Sequence, residues 1–81
     1  MQRLEKILSV HDLGFRVREF RQEQNLSLQE AAALCNVGIR FLSEFENGKP
    51  TIQMGKALKV IEILGLDLKL DRRMGFKKES G

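Results

Sequence analysis

Residues 27–48, SLQEAAALCNVGIRFLSEFENG, constrain the fold of this 81-residue chain more than any other segment. Ser27, with a glutamate three positions later, is a capping box that predicts a helix over residues 28–35. Asn36 suits a tight turn because asparagine tolerates a positive φ angle. The apolar spacing then predicts a second short helix over residues 39–46. Two short helices joined by a tight turn are therefore expected at the centre of the fold.

Two further helices are expected on either side of this pair. Ser9 and the aspartate three positions later predict the start of a helix over residues 10–24. Thr51 is expected to cap a last helix that ends near residue 64, where a glycine follows. The sequence thus predicts a mainly α-helical fold of four to five helices.

Composition limits the class of protein. The chain has one cysteine and one histidine, so we expect no internal disulfide, no metal site and no cofactor. No apolar run approaches the roughly 20 residues that span a bilayer, and no leader peptide is evident, so a cytoplasmic protein is expected. No glycine-rich phosphate loop or acid pair indicates catalysis, so we do not expect an enzyme. We expect one domain over residues 9–70, an N-terminal arm over residues 1–8 and a disordered tail over residues 71–81.

The charge permits a nucleic-acid partner without requiring one. The formal net charge is +3, and the arginines and lysines of residues 71–81 account for much of it. Any affinity for DNA must therefore come from the placement of charges, or from two copies that act together.

Residues 66–70, LDLKL, alternate strictly between apolar and polar side chains, which predicts a β-strand. A lone strand cannot pair its own backbone groups, so we expect it to pair with the same strand of a second copy in a homodimer. The last helix is apolar on more than one face, and a second copy would also cover its extra stripe. The expected dimer interface comprises Val60, Ile63, Leu66, Leu68 and Leu70.

The two-helix segment has the pattern of a helix-turn-helix, a motif whose second helix lies in the DNA major groove. Leu42 and Phe45 are expected to face the core. Arg40 suits a bidentate contact with guanine, whereas Glu44 suits either cytosine N4 or an ion pair that orients Arg40. An amphipathic helix with a solvated outer face is the alternative interpretation. The side chains expected to face DNA are Ile39, Arg40, Phe41, Ser43 and Glu44.

Phosphate contacts are expected from helix N-termini and nearby side chains. Ser27 and Gln29 lie at the start of the first helix of the motif, and Lys49 follows the second. Arg16 and Arg18 are weaker candidates, because an isolated basic side chain is usually a solvated surface charge.

Three other residues are expected to have structural rather than catalytic roles. Arg21 and Glu46 fall near the inner faces of their helices, which predicts a partly buried ion pair. Cys35 faces the core and is expected to behave as a small apolar residue.

The chain resembles the Xre/Cro-like repressors, whose helix-turn-helix is followed by a turn such as Glu46-Asn47-Gly48-Lys49. RFLSEFENGKPT at residues 40–51 and ILGLDL at residues 63–68 are similar to the HipB-type antitoxins. That resemblance implies a dimer with a C-terminal strand that binds and neutralises a HipA-type serine/threonine kinase toxin and represses the shared operon. It also implies the Arg21–Glu46 pair, phosphate contacts near Ser27 and Gln29, and DNA contacts from Gly38, Ile39, Arg40, Phe41, Ser43 and Glu44.

The sequence departs from the class at positions that bear on recognition. Leu28 stands where a phosphate-contacting glutamine is common, and Asn36 replaces the usual turn glycine. Gly38 and Ile39 replace polar residues at the start of the second helix. These changes remove side-chain hydrogen bonds and leave Arg40 as the strongest base-contacting side chain.

The sequence therefore predicts a homodimeric, sequence-specific DNA-binding repressor of a palindromic operator in double-stranded DNA, and the antitoxin of a HipA-type kinase. Two alternatives remain open. One is a stand-alone Xre-type transcriptional regulator. The other is a kinase-binding interaction module with little DNA binding.

Overall fold

The computed structural model describes residues 6–70, and within that range the chain forms four helices. Most of the predicted arm and all of the predicted tail lie outside the described residues. The helices are α1 (Val10–Glu23), α2 (Leu28–Cys35), α3 (Ile39–Glu46) and α4 (Met54–Ile63). The predicted bounds of α2 and α3 are confirmed, and α1 ends one residue earlier than expected, with Gln24 as its C-cap.

Side-chain caps begin the first two helices. The capping box of α2 is complete, because the Ser27 hydroxyl accepts from the Glu30 amide and the Glu30 carboxylate accepts from the Ser27 amide. In α1 the Ser9 hydroxyl accepts from the Asp12 amide at 3.1 Å, but the Asp12 carboxylate accepts from the Leu8 amide rather than from Ser9. The aspartate side chain, one methylene shorter than glutamate, thus ties down the residue before the cap.

Left-handed asparagines separate the first three helices. Asn25 has φ 58° between α1 and α2, and Asn36 has φ 55° as the C-cap of α2. Asparagine tolerates this conformation better than most side chains, so the turn forms without the glycine common in the class. The prediction of a tight turn at Asn36 is confirmed.

The core lies around α3, which packs on both α1 and α2, while α4 packs on α2. Leu42 and Phe45 of α3 are fully buried at its centre. The remaining buried apolar side chains come from the other three helices and the residue after α4: Leu13, Val17, Ala31, Ala32, Cys35, Ala57, Val60, Ile61 and Leu64.

Gly14 lets α1 cross the end of α3 at very short range. A Cβ atom built on Gly14 would lie 2.0 Å from the Phe45 carbonyl oxygen and 3.0 Å from that of Glu46. No other residue type fits there without displacing backbone. This close approach fixes the position of α3 against α1.

The predicted start of α4 is wrong. Thr51 lies in a turn closed by the Ile52 amide, which donates to the Lys49 carbonyl oxygen at 3.1 Å. Proline at the second position of such a turn is favoured because its φ angle is already set, and Pro50 occupies that position. The chain therefore completes a turn before the helix begins, and Gln53 is the N-cap of α4.

The expected apolar faces of α4 also need correction. Val60, assigned to the dimer interface, is 0 % exposed within the single chain, so a second copy cannot cover it. Met54 and Leu58, two further apolar residues of this helix, are exposed. The buried residues of α4 are Ala57, Val60 and Ile61, because one helix presents a single apolar face of about 100° to its neighbour.

Residues 66–70 form neither helix nor strand within the single chain. Leu66 packs partly against the core, and its amide donates to the Ile61 carbonyl oxygen. Leu68 and Leu70 are exposed. A strand that pairs between two copies stays a prediction.

Candidate DNA-binding surface

A buried ion pair fixes α3 to α1. The Arg21 guanidinium donates from Nε to Glu46 Oε2 at 2.7 Å and from Nη2 to Glu46 Oε1 at 2.9 Å. Its Nη1 donates to the Leu26 carbonyl oxygen at 2.8 Å. Hydrogen bonding to Glu46 raises the pKa of Arg21, so the guanidinium stays protonated. Bidentate geometry gives the pair directional specificity as well as energy.

The outward face of α3 is polar at its centre and apolar at its start. The Arg40 side chain is 91 % exposed, and Ile39 is also exposed. Ser43 and Glu44 are half-buried on the same helix. Gly38 is the N-cap and makes no side-chain cap bond, so the amides of the first turn point outward without a side chain over them. The structure thus brings together most of the side chains that the sequence predicted to face DNA.

Glu44 lies between two basic side chains on this face. Its Oε2 is 3.5 Å from Arg40 Nε, and its Oε1 is 3.3 Å from Lys49 Nζ. The Lys49 amide also donates to the Glu44 carbonyl oxygen at 3.0 Å. Arg40, Glu44 and Lys49 therefore form one chain of alternating charge along α3.

Phe41 lies at the edge of this face rather than on it. Phe41 is half-buried, and its ring centroid lies 6.3 Å from that of Phe45. The Lys56 Nζ atom, on α4, lies 5.6 Å from the Phe41 ring centroid. The sequence did not predict a role for Lys56, because Lys56 and Phe41 are 15 positions apart on different helices and no local spacing indicates their contact. The cation–π contact places a further positive charge beside the N-terminal half of α3.

The start of α2 holds the predicted phosphate contacts. Ser27 and Gln29 are both exposed there. The hydrogen bonds from the Ser27 amide and hydroxyl lower the pKa of Glu30, which keeps the capping box charged.

A shallow cleft of about 180 Å³ separates α1, the start of α2 and the end of α3. Arg18 and Ser43 both line it, together with the Arg21–Glu46 pair. Leu28 lines the same cleft, so no side-chain amide is available at the position where the class often has glutamine. Arg18, a weak candidate from sequence alone, thus lies on the same side as Ser43.

Three further properties of the described part of the chain concern metal ions, membranes and the single thiol. Residues 6–70 contain no cluster of histidine, cysteine and acidic side chains fit for a metal ion. No helix within that range has the length and apolarity needed to cross a membrane. Burial raises the pKa of the Cys35 thiol, which disfavours a reactive thiolate.

Residues 17–70 match the family model described as helix-turn-helix. The chain belongs to the Xre/Cro-like helix-turn-helix family. It is 44 % identical over 63 residues to an uncharacterised HTH-type transcriptional regulator, y4mF, of Sinorhizobium fredii (strain NBRC 101917 / NGR234), and the match covers 78 % of this chain and 83 % of that protein. The prediction of a helix-turn-helix transcriptional regulator is confirmed at the level of the family.

Solved structures of HipB share the fold. A chain of the HipB-O4 20mer complex superposes with a TM-score of 0.77 and 23 % sequence identity, over 85 % of this chain and 97 % of that one. A chain of the HipA-HipB-O2-O3 complex gives the same TM-score and identity over the same shares of the two chains. The resemblance to HipB-type proteins that the sequence motifs indicated is confirmed for the fold.

Proposed function

We propose that this protein is a homodimeric, sequence-specific DNA-binding repressor and the antitoxin partner of a HipA-type kinase. The observation that carries the DNA-binding part is the outward face of α3, where Arg40 is held on a helix that the Arg21–Glu46 pair and Gly14 fix in place. A side chain that discriminates between bases needs such a rigid support.

In this proposal α3 lies in the major groove and Arg40 donates to O6 and N7 of a guanine. Ser43 and the apolar Ile39 contact the neighbouring base pairs. Ser27, Gln29 and Lys49 contact phosphates on either side and set the register of the helix. Arg18 adds a phosphate contact from the cleft beside Ser43.

The same proposal makes the protein a homodimer. Ile63, Leu68 and Leu70 are exposed beyond the core, and residues 66–70 alternate as a strand does. Pairing of two such segments would satisfy their backbone groups and cover these side chains, without Val60. Size-exclusion chromatography with light scattering at micromolar concentration tests it, and a monomer near the 9.3 kDa chain mass contradicts it.

Binding to DNA upstream of the protein's own gene, measured by fluorescence anisotropy, tests the recognition role. Two recognition helices about 34 Å apart favour a palindromic site. Arg40→Ala should weaken binding to that site about 5- to 100-fold while binding to random DNA changes little. Equal loss on both DNAs would remove Arg40 as the base-contacting residue.

The kinase partner is supported by the HipB fold and by the HipA-HipB-O2-O3 complex in which that fold is seen. The relative from Sinorhizobium fredii is named as a transcriptional regulator, which favours a stand-alone regulator as the second candidate. Co-expression with a HipA-like kinase encoded next to this gene separates the two. Co-elution of the two proteins and loss of kinase activity support the antitoxin, and separate elution supports the stand-alone regulator.

A further inference from the structure

The positions of the charged residues Arg40 and Glu44 do not stabilise α3. Arg40 lies in the first turn of α3 and Glu44 in the last. A cation near a helix N-terminus and an anion near its C-terminus both oppose the helix dipole. The order of the pair, with the basic residue four positions before the acidic one, is also the less favourable order. Helix stability therefore does not explain these residues.

Glu44 is also poorly placed to accept from a base. One carboxylate oxygen lies toward Arg40 and the other toward Lys49. Lys49 is itself held near Glu44, because its amide donates to the Glu44 carbonyl oxygen. A carboxylate directed at cytosine would have to leave both cations and approach the phosphates of DNA with less of its charge compensated.

The geometry at Arg40 points to another role. Glu44 approaches the Nε side of the guanidinium. Among residues 6–70, no ion pair involves the two terminal nitrogens, Nη1 and Nη2. The side chain is 91 % exposed. These are the two donors that a fork-like contact with guanine O6 and N7 uses.

We propose that Glu44 is a positioning residue that orients the Arg40 guanidinium toward guanine, with Lys49 holding Glu44 in place. This inference rests on the proposed DNA-binding function and narrows it. It assigns base recognition at this position to Arg40 alone, and it makes the guanine preference depend on a residue that contacts no base.

A double-mutant cycle tests the proposal. The measured quantity is a discrimination ratio: the dissociation constant for DNA in which one G·C pair of the selected operator is changed to A·T, divided by the dissociation constant for the operator itself. The changed pair is the one at which Arg40→Ala abolishes discrimination. Glu44→Gln should lower that ratio by about three- to fivefold, the upper range for an exposed ion pair. The Arg40→Ala, Glu44→Gln double variant should have the same ratio as Arg40→Ala alone.

Three measurements separate positioning from general effects. Glu44→Gln should shift the NMR resonance of the Arg40 Nε–H group in the free protein. Lys49→Met should also lower the discrimination ratio. Glu62→Gln makes the same charge change as Glu44→Gln, but on the exposed side of α4, and should leave the ratio unchanged. Unfolding midpoints show whether each variant is folded, so a merely destabilised variant is recognised.

Distinct results would overturn the inference. Loss of discrimination at a different base pair in Glu44→Gln, additive with Arg40→Ala, would show that Glu44 contacts a base directly. An unchanged ratio in Glu44→Gln would show that Arg40 needs no orientation. If the wild-type protein selects no sequence at all, the proposed DNA-binding function fails instead, and that outcome is visible before any variant is made.

Discussion

Replacing Gly14 with alanine tests the closest contact in the fold. The new Cβ would lie 2.0 Å from the Phe45 carbonyl oxygen and 3.0 Å from that of Glu46. Alanine gains about 1 kcal/mol over glycine in a helix, but forced overpacking costs about 1–3 kcal/mol or more. The obstacle here is backbone at the end of α3, which cannot rotate away as a side chain can. We therefore expect Gly14→Ala to lower the free energy of unfolding by about 2 kcal/mol in total.

Circular dichroism during heating and urea titration measures this effect. For a domain of this size a loss of about 2 kcal/mol lowers the melting temperature by roughly 8–16 °C. Gly55→Ala in α4 is the matched control, because a Cβ at Gly55 meets nothing within 4 Å. The control should be neutral or more stable by up to about 1 kcal/mol. All proteins are compared at one concentration, since the stability of a dimer depends on it.

The same variant reports on the candidate DNA-binding surface. A shift of α3 away from α1 would displace Arg40 relative to the start of α2, so operator affinity should fall more than the loss of folded protein explains. If Gly14→Ala is as stable as Gly55→Ala, the close crossing of α1 and α3 is not a constraint, and the reasoning that fixes α3 through Gly14 fails.

Three further predictions follow from buried and capping groups. Glu46→Ala leaves the Arg21 charge buried without its partner, and the free energy of unfolding from urea titration should fall by about 3–5 kcal/mol; a loss below about 1 kcal/mol would mean the pair is solvated. The raised pKa and burial of the Cys35 thiol predict that a thiol reagent labels the folded protein only as fast as the protein unfolds, and rapid labelling would contradict this. Hydrogen bonds to Ser27 lower the pKa of Glu30 in the folded protein. The Glu30 carboxylate therefore contributes to folding stability above the ordinary carboxyl pKa, and this contribution is lost as the pH falls through the lower pKa of the folded state. Glu30→Gln, which keeps a capping box, should remove that part of the acid sensitivity in pH-dependent melting, and an identical pH profile would refute the assignment.

Local signals predicted the helices where the chemistry is local. The serine caps, the left-handed asparagines and the three-and-four spacing of apolar residues each act within about one helical turn, so α2 and α3 emerged with correct bounds. The same reasoning gave the wrong start for α4 at Thr51. Threonine is a good capping residue, but Thr51 follows Pro50 and lies with it in a turn. Two local preferences competed there, and the sequence alone did not rank them.

The faces of α4 depended on packing that no local pattern contains. Apolar residues on two sides of a helix permit several orientations, and the one adopted is set by how α4 fits against α2. That fit buries Val60 and leaves Met54 and Leu58 exposed. The predicted dimer interface therefore loses one residue, while Ile63, Leu68 and Leu70 keep the exposure that it requires.

The motif over residues 27–48 thus determined by itself that a short helix, a tight turn and a second short helix would form, and that Arg40 would face outward on it. Only the tertiary structure decided how that helix is held and what surrounds its charges. The Gly14 crossing, the Lys56 contact with Phe41 and the position of Glu44 between two cations each join groups through space. Their energies depend on distances of a few ångströms between elements, which sequence spacing along one helix does not fix.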